Sequence, residues 1–114
     1  MQYSLIIKND DQAIVERSAC GIRKRLLSKE DPPVAAWVHT VDIDDAKPHF
    51  HKKIVEIYYV LEGEGEIILQ GKNYKITHGS IVHIPQNVVH SAKGKMRVLV
   101  IGIPNIAEDD IFYP

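Results

Sequence analysis

The segment from about Gly21 to Pro104 is a succession of short stretches rich in β-branched and aromatic residues, separated by turn-forming residues. No part of it repeats apolar residues at the spacings of three and four that an amphipathic helix needs. Short apolar stretches with turn signals between them are typical of an all-β sandwich or barrel. The pattern therefore argues against a helical bundle and predicts an all-β fold.

Strands are predicted for the β-rich stretches, and the short loop Gly71-Lys72 predicts a hairpin. Glycine is unfavourable inside a strand, so the tetrapeptide at 62–65 is expected to end the strand that precedes it. The apolar run at 96–103 predicts a strand covered on both faces. Residues 10–20 are compatible with a short helix or an irregular arm. The predicted strands are 34–43, 54–61, 66–69, 74–77, 81–84 and 96–103.

The length of 114 residues suits one domain with one core. We expect a single domain over residues 1–114, with an N-terminal arm at 1–20, a barrel at 21–104 and a C-terminal tail at 105–114. The tail ends in an apolar stretch after an acidic one. It could fold back over a barrel mouth or dock on a second subunit.

The charge composition argues against a nucleic-acid partner. Lys and Arg number 14 against 15 Asp and Glu, whereas proteins that bind phosphate backbones carry a basic excess. The cluster Arg23-Lys24-Arg25 is interpreted as the solvated face of a strand. No apolar run approaches the roughly 20 residues that cross a bilayer, and the single Cys20 excludes an intrachain disulfide. We expect a soluble cytoplasmic protein with neither a nucleic-acid nor a membrane partner.

Three histidines and a glutamate form a candidate metal centre. His49 and His51 are two residues apart in an extended segment, so both imidazoles project to the same side. Glu56 falls inside an apolar strand, where a carboxylate is costly to bury unless a cation pairs with it. His90 begins the strand after a proline turn. This donor set suits a divalent transition metal: Fe, Mn, Ni, Zn, Cu or Co.

The spacing of these residues resembles the two sequence motifs of the cupin superfamily. The fifteen residues between Gly63 and Gly79 match the shortest usual spacer, that of small single-domain cupins. The first motif is reproduced by His49-Phe50-His51, four residues, Glu56, six residues and Gly63, and the second by Gly79, five residues, Pro85 and His90.

Three positions depart from the motifs. Ile43 stands where the first motif opens with glycine, Asn87 where the second has its internal glycine, and Gly94 where it ends with asparagine. Asparagine tolerates the left-handed backbone that glycine would adopt, so the change at Asn87 is mild. The other two changes affect turns and leave the ligands intact.

The resemblance implies a double-stranded β-helix, which is a small jelly-roll barrel. It implies an ion held by inward-facing His49, His51, Glu56 and His90, and commonly a homodimer. Four protein ligands on an ion that prefers six leave two positions open, as a catalytic metal needs.

Three further residues are candidates for the pocket above the ion. Trp37 and His39 share one face of the strand at 34–43, and Tyr58 shares the alternation of Glu56. If these faces point inward, the three side chains line the pocket. The alternative for each is a core role, as a packed indole or a hydrogen-bonded ring.

The leading hypothesis is a metalloenzyme that acts on a small oxygen-bearing organic molecule. The ion could hold substrate beside dioxygen, as in a dioxygenase, or polarise a carbonyl or enolate, as in an isomerase or lyase. His39 and Tyr58 are candidate proton carriers. The alternatives are a non-catalytic module that binds a small ligand or sugar, and a metal kept only for stability.

Overall fold

The computed structural model describes residues 5–31, 34–106 and 109–114. Within these ranges the chain forms one short 3-10 turn and eight strands, and every strand pairing is antiparallel. The all-β prediction is confirmed. The elements are the turn Asp10–Gln12, β1 (Ile14–Arg17), β2 (Gly21–Leu27), β3 (Trp37–Ile43), β4 (Val55–Leu69), β5 (Lys72–Thr77), β6 (Ile81–Ile84), β7 (His90–Lys93) and β8 (Met96–Ile103).

The strands follow the order β1-β2-β3-β8-β4-β5, with β6 and β7 also paired to β4. The first part of β4, 55–63, pairs with β8 and β6. Its second part, 64–69, pairs with β5 and β7. One long strand thus belongs to both sheets and folds them onto each other, which gives the predicted jelly-roll barrel. In the part of the chain described, no helix has the length and hydrophobicity that a bilayer crossing requires.

The prediction that the tetrapeptide at 62–65 ends a strand is wrong, because β4 runs through it. The register shifts between Val60 and Glu62, as at a β-bulge. A Cβ atom on Gly63, whose φ is +80°, would lie 2.1 Å from the backbone oxygen of Lys95. Glycine is needed here for the close approach of the neighbouring turn, and it bends the strand without ending it.

Other strand predictions are confirmed or adjusted at their ends. The strands at 81–84 and 96–103 have the predicted bounds, whereas the strand expected at 34–43 begins at Trp37. The predicted hairpin forms, with its turn one residue earlier, at Gln70 and Gly71. Part of the segment 10–20, left open between helix and arm, is β1, which pairs with the edge of β2.

The core lies between the two sheets and follows the period-two alternation of the strands. In β8, Met96, Val98 and Val100 are at most 5 % exposed, whereas Leu99 on the other face is half-buried and Ile103 is 44 % exposed. The prediction that both faces of this strand are covered is therefore wrong within a single chain.

The interpretation of Arg23-Lys24-Arg25 as a solvated face also needs correction. The side chains of Arg23 and Arg25 are only 15 % and 27 % exposed, and their Nε atoms donate to Glu16 Oε1 at 2.8 and 2.6 Å. Hydrogen bonds from Arg25 and Arg23 lower the pKa of Glu16 to about 2. Of the three basic residues, alternation places only Lys24 on the outer side of β2.

Candidate metal centre

The four predicted ligands converge from a loop and two strands. His49 pairs with His90 through two backbone hydrogen bonds of 3.1 and 2.9 Å, which join the loop before β4 to the start of β7. His51 lies two residues further along the loop, and Glu56 is the second residue of β4. All four side chains are buried, and one donor atom from each lies within 4.8 Å of the others. Together they form a buried group that could hold a metal ion.

Each of the three imidazoles is oriented by a hydrogen bond from Nδ1 to a backbone carbonyl. A carbonyl oxygen only accepts, so Nδ1 carries the proton and Nε2 presents its lone pair. The Nε2 atoms of His51 and His90 therefore face the Glu56 carboxylate, and that of His49 lies 4.0 Å from Cys20 Sγ. The bonds run from His49 to Lys47 at 2.7 Å, from His90 to Val88 at 2.9 Å, and from His51 to Asp110.

The polar atoms at the centre of this group would be paired better by a cation than they are by one another. The Nε2 atoms of His51 and His90 each lie 2.9 Å from Glu56 Oε1, which is within hydrogen-bonding distance. Among the described residues, however, none of these three buried atoms has a hydrogen bond of acceptable geometry. A buried polar atom left unpaired costs about 1–3 kcal/mol. The donor set fits a divalent transition metal, which would pair with all of these atoms at once.

The protonation of two of the four candidate ligands, His49 and Glu56, also suits a cation. Burial, reinforced by the neighbouring His90, lowers the pKa of His49 to about 4. Burial alone would raise the pKa of Glu56, but His51 and His90 outweigh it and hold that pKa at about 2. Burial lowers the pKa of His51, but the Glu56 carboxylate and Asp110 outweigh it, and the pKa is raised. At neutral pH, His49 is therefore a neutral candidate ligand and Glu56 an anionic one.

A cavity of about 80 Å³ adjoins three of the four candidate ligands, His49, His51 and Glu56. Trp37, His39 and Tyr58, the three predicted pocket residues, all contribute to its wall. Their side chains are 7 %, 3 % and 1 % exposed, so they face the barrel interior as the alternation indicated. His78 and His83, by contrast, are exposed and are not among the residues lining this cavity.

The tryptophan wall of the cavity depends on a glycine. The Trp37 indole stacks on His39 with ring centroids 4.5 Å apart. A Cβ atom on Gly102 of β8 would lie 2.0 Å from Trp37 Cε2, so only glycine leaves room for the indole. Trp37 Nε1 is buried and has no hydrogen-bond partner within the described residues.

Cys20 is a wall residue that sequence reasoning missed. Its Sγ atom lies 3.3 Å from Tyr58 Oη and 4.0 Å from His49 Nε2. Burial raises the pKa of Cys20 to about 12 and the pKa of Tyr58 well above its ordinary value, so both groups keep their protons at neutral pH. A lone cysteine 29 positions from its histidine neighbour carries no local signal of such a contact.

The C-terminal tail takes the first of the two places considered for it. Phe112 forms an isolated antiparallel bridge with Phe50, and their rings stack at 5.6 Å. Ile111 reaches the cavity wall, and the Tyr113 ring lies 6.3 Å from the ring of His49. The end of the chain therefore folds back over the barrel mouth, beside two of the candidate ligands.

Sequence and structure comparisons place the chain among proteins of this architecture. An uncharacterized protein of Aquifex aeolicus is 24 % identical over 96 residues, covering 83 % of this chain and 78 % of its own length. A crystal structure of a protein from Planctomyces limnophilus has a TM-score of 0.89 at 25 % identity, covering 96 % of this chain and 97 % of that one. A Streptomyces nucleoside dehydratase has a TM-score of 0.82 at 16 % identity, covering 97 % and 92 %.

At 16 % identity, the likeness to the Streptomyces dehydratase shows a shared fold and nothing further. The family described as "Cupin domain" matches residues 38–102, which contain all four candidate ligands. Cupins commonly bind metals, in agreement with the buried group described above. Because the match covers more than half of the sequence, the chain belongs to the cupin family.

Proposed function

We propose that this chain is a metal-dependent enzyme that acts on a small oxygen-bearing organic molecule, with its ion held by His49, His51, Glu56 and His90. The observation that carries the proposal is the convergence of four buried donor atoms within 4.8 Å. Three of these atoms lack hydrogen-bond partners in the described residues. Such an arrangement is costly without a cation.

When bound, a divalent ion of this kind supplies Lewis acidity toward a ligand oxygen, and a redox-active ion could also bring dioxygen to it. The chain itself supplies size selection and groups that can carry a proton. The cavity of about 80 Å³ is much smaller than the roughly 300–1,000 Å³ of typical drug-sized sites. The substrate is therefore small, or only part of it enters.

The wall residues favour a ligand that carries oxygen. Val41, Ile54 and Val100 make part of the wall apolar. The Trp37 indole N–H is a buried donor without a partner among the described residues. A ligand oxygen that accepted this hydrogen bond would remove a cost of about 1–3 kcal/mol.

Proton transfer is the chemistry that the wall supports best, and we place an isomerase or lyase reaction ahead of a dioxygenase. The Tyr58 hydroxyl and the His39 imidazole both lie in the wall. Two groups that can donate or accept a proton are what enolisation or elimination requires. A dehydratase of like fold indicates only that the architecture can hold an elimination reaction.

Removal of the Tyr58 hydroxyl should separate this role from core packing. We expect Tyr58→Phe to lower kcat by about 100-fold or more, because a positioned proton donor is lost, while metal content stays at the wild-type level. Tyr59→Phe is the matched control, since Tyr59 is adjacent and 38 % exposed. The assay is proton exchange and turnover of small hydroxy acids, keto acids and diketones by metal-loaded protein, followed by NMR.

A non-catalytic binding module is the second candidate, because a small cavity beside the candidate ligands can also hold a ligand without converting it. In that case the metal-loaded protein would bind members of the same panel without exchanging or converting them. Binding without exchange would therefore contradict the enzymatic proposal and support the alternative.

The cytoplasmic location of the protein stays a prediction.

We also propose that the chain forms a homodimer through the outer face of β3, β8, β4 and β6. Leu99 and Ile101 of β8 lie beside Tyr59 and Ile57 of β4, and Ile81 at the edge of this face is 70 % exposed. Contiguous exposed apolar surface of this kind is typical of interfaces. Ile81→Glu should shift light-scattering mass from dimer to monomer. A wild-type chain that is monomeric at micromolar concentration would contradict the proposal.

A further inference from the structure

The Asp110 carboxylate closes the loop that carries two of the candidate ligands. It is 6 % exposed. Its Oδ1 accepts the backbone N–H of Lys52 at 3.1 Å, and its Oδ2 accepts those of Lys53 and Ile54, both at 2.9 Å. Charge-assisted hydrogen bonds from three successive N–H groups are strong and directional. They fix the backbone of the segment that joins His51 to β4.

The backbone of the same residue also orients His51. The His51 Nδ1–H donates to the carbonyl oxygen of Asp110, 59 residues away in sequence. The corresponding bonds of His49 and His90 go to carbonyls only two residues before each histidine. Two of the three imidazoles are thus oriented by their own local segments, whereas His51 is oriented by the end of the chain.

The rest of the C-terminal segment, Asp109–Pro114, holds Asp110 in place. Phe112 exchanges two backbone hydrogen bonds with Phe50, at 2.9 and 3.0 Å. Lys52 Nζ lies 4.2 Å from the centroid of the Phe112 ring, in a cation–π contact. The loop around His51 therefore lies between β4 and the C-terminal segment. Asp110 accepts hydrogen bonds from this loop through both its carboxylate and its backbone carbonyl.

We propose that Asp110 is a positioning residue of the metal centre, through which the C-terminal segment sets the orientation and affinity of His51. The inference rests on the proposed function, since it presupposes an ion at the four ligands. Groups that hydrogen-bond to metal-bound histidine fix the tautomer and the ring orientation, and their loss costs about 10–100-fold in metal affinity. The C-terminal segment then helps to position a metal ligand.

Two substitutions and one control test the proposal. Asp110→Asn keeps the size of the side chain but turns an NH2 group toward one of the backbone N–H donors, and Asp110→Ala removes all three acceptor contacts. We expect the Kd for Co²⁺, measured by chelator competition, to rise about 10-fold for Asp110→Asn and up to about 100-fold for Asp110→Ala. Asp109→Asn removes the same charge from an exposed neighbour and should leave the Kd unchanged.

The visible absorption spectrum of the Co²⁺-loaded protein distinguishes positioning from general stability. A displaced His51 ring changes the ligand field, so the Asp110→Asn spectrum should differ from the wild-type and Asp109→Asn spectra. An affinity within threefold of wild type, or a weaker affinity with a wild-type spectrum, would overturn the proposal. If Asp110→Ala does not fold, Asp110→Asn decides the matter. A wild-type protein that binds no Co²⁺ would instead overturn the proposed function.

Discussion

Replacement of Glu56 by glutamine should weaken divalent metal binding by at least about 100-fold, more than the loss of an indirect partner costs. The carboxylate is 4 % exposed and lies 2.9 Å from two imidazole Nε2 atoms. It is the anionic member of the donor set, and an amide in its place contributes no charge to balance the ion. The measurement is the Kd for Zn²⁺ or Co²⁺ by chelator competition on folded protein.

Residues of the same type outside the candidate site provide matched controls. Glu66→Gln changes a carboxylate of β4 that accepts a hydrogen bond from Asn73 Nδ2 at 2.6 Å and does not line the cavity. His83→Ala removes an exposed imidazole of β6, whereas His90→Ala removes a candidate ligand. We expect wild-type affinity from both controls. Equal affinities for Glu56→Gln and Glu66→Gln would show that Glu56 is not a ligand.

Replacement of Gly102 by alanine should be among the most damaging single-methyl changes in this barrel. The new Cβ atom would lie 2.0 and 2.1 Å from Trp37 Cε2 and Cζ2, so the indole must leave its position or β3 must separate from β8. Overpacking of a filled core costs about 1–3 kcal/mol. The displaced indole would also change the cavity, so ligand binding should weaken along with the free energy of unfolding.

A double-mutant cycle with Trp37→Leu tests this cause directly. Leucine vacates the space that the indole occupies, so Gly102→Ala should cost much less in that background, giving a coupling of about 1 kcal/mol or more. Gly79→Ala is a control without a steric contact, because nothing lies within 4 Å of its would-be Cβ, and its cost reflects only the strain of a side chain at a φ of +87°. The same cost for Gly102→Ala in both backgrounds, by urea unfolding, would contradict the steric explanation.

The strands that the sequence predicted well are those bounded by local signals. The strand at 81–84 lies between a glycine turn and Pro85, and the strand at 96–103 ends before Pro104. The continuation of β4 through Gly63 was not predictable in the same way. The effect of that glycine depends on the Lys95 carbonyl, which only tertiary structure brings to it.

Three of the four candidate ligands were predictable because their spacing is local and their chemistry is unusual, whereas His90 was assigned through its resemblance to the second motif. His49, His51 and Glu56 lie within eight positions of one another, and a carboxylate in an apolar strand calls for a partner. Asp110 had no such signal, because its contacts reach the loop at 51–54 only once the chain end has folded back. The sequence left that docking open between the barrel mouth and a second subunit.

The direct test of a metal-binding centre is the metal content of the protein itself. Wild-type protein should be purified without added metal, reconstituted with each of the candidate divalent ions in turn, freed of excess by gel filtration and subjected to elemental analysis. The structure leads us to expect about one equivalent of a transition metal per chain, lost in Glu56→Gln. A wild-type chain that retains no stoichiometric ion under any of these conditions would contradict the account.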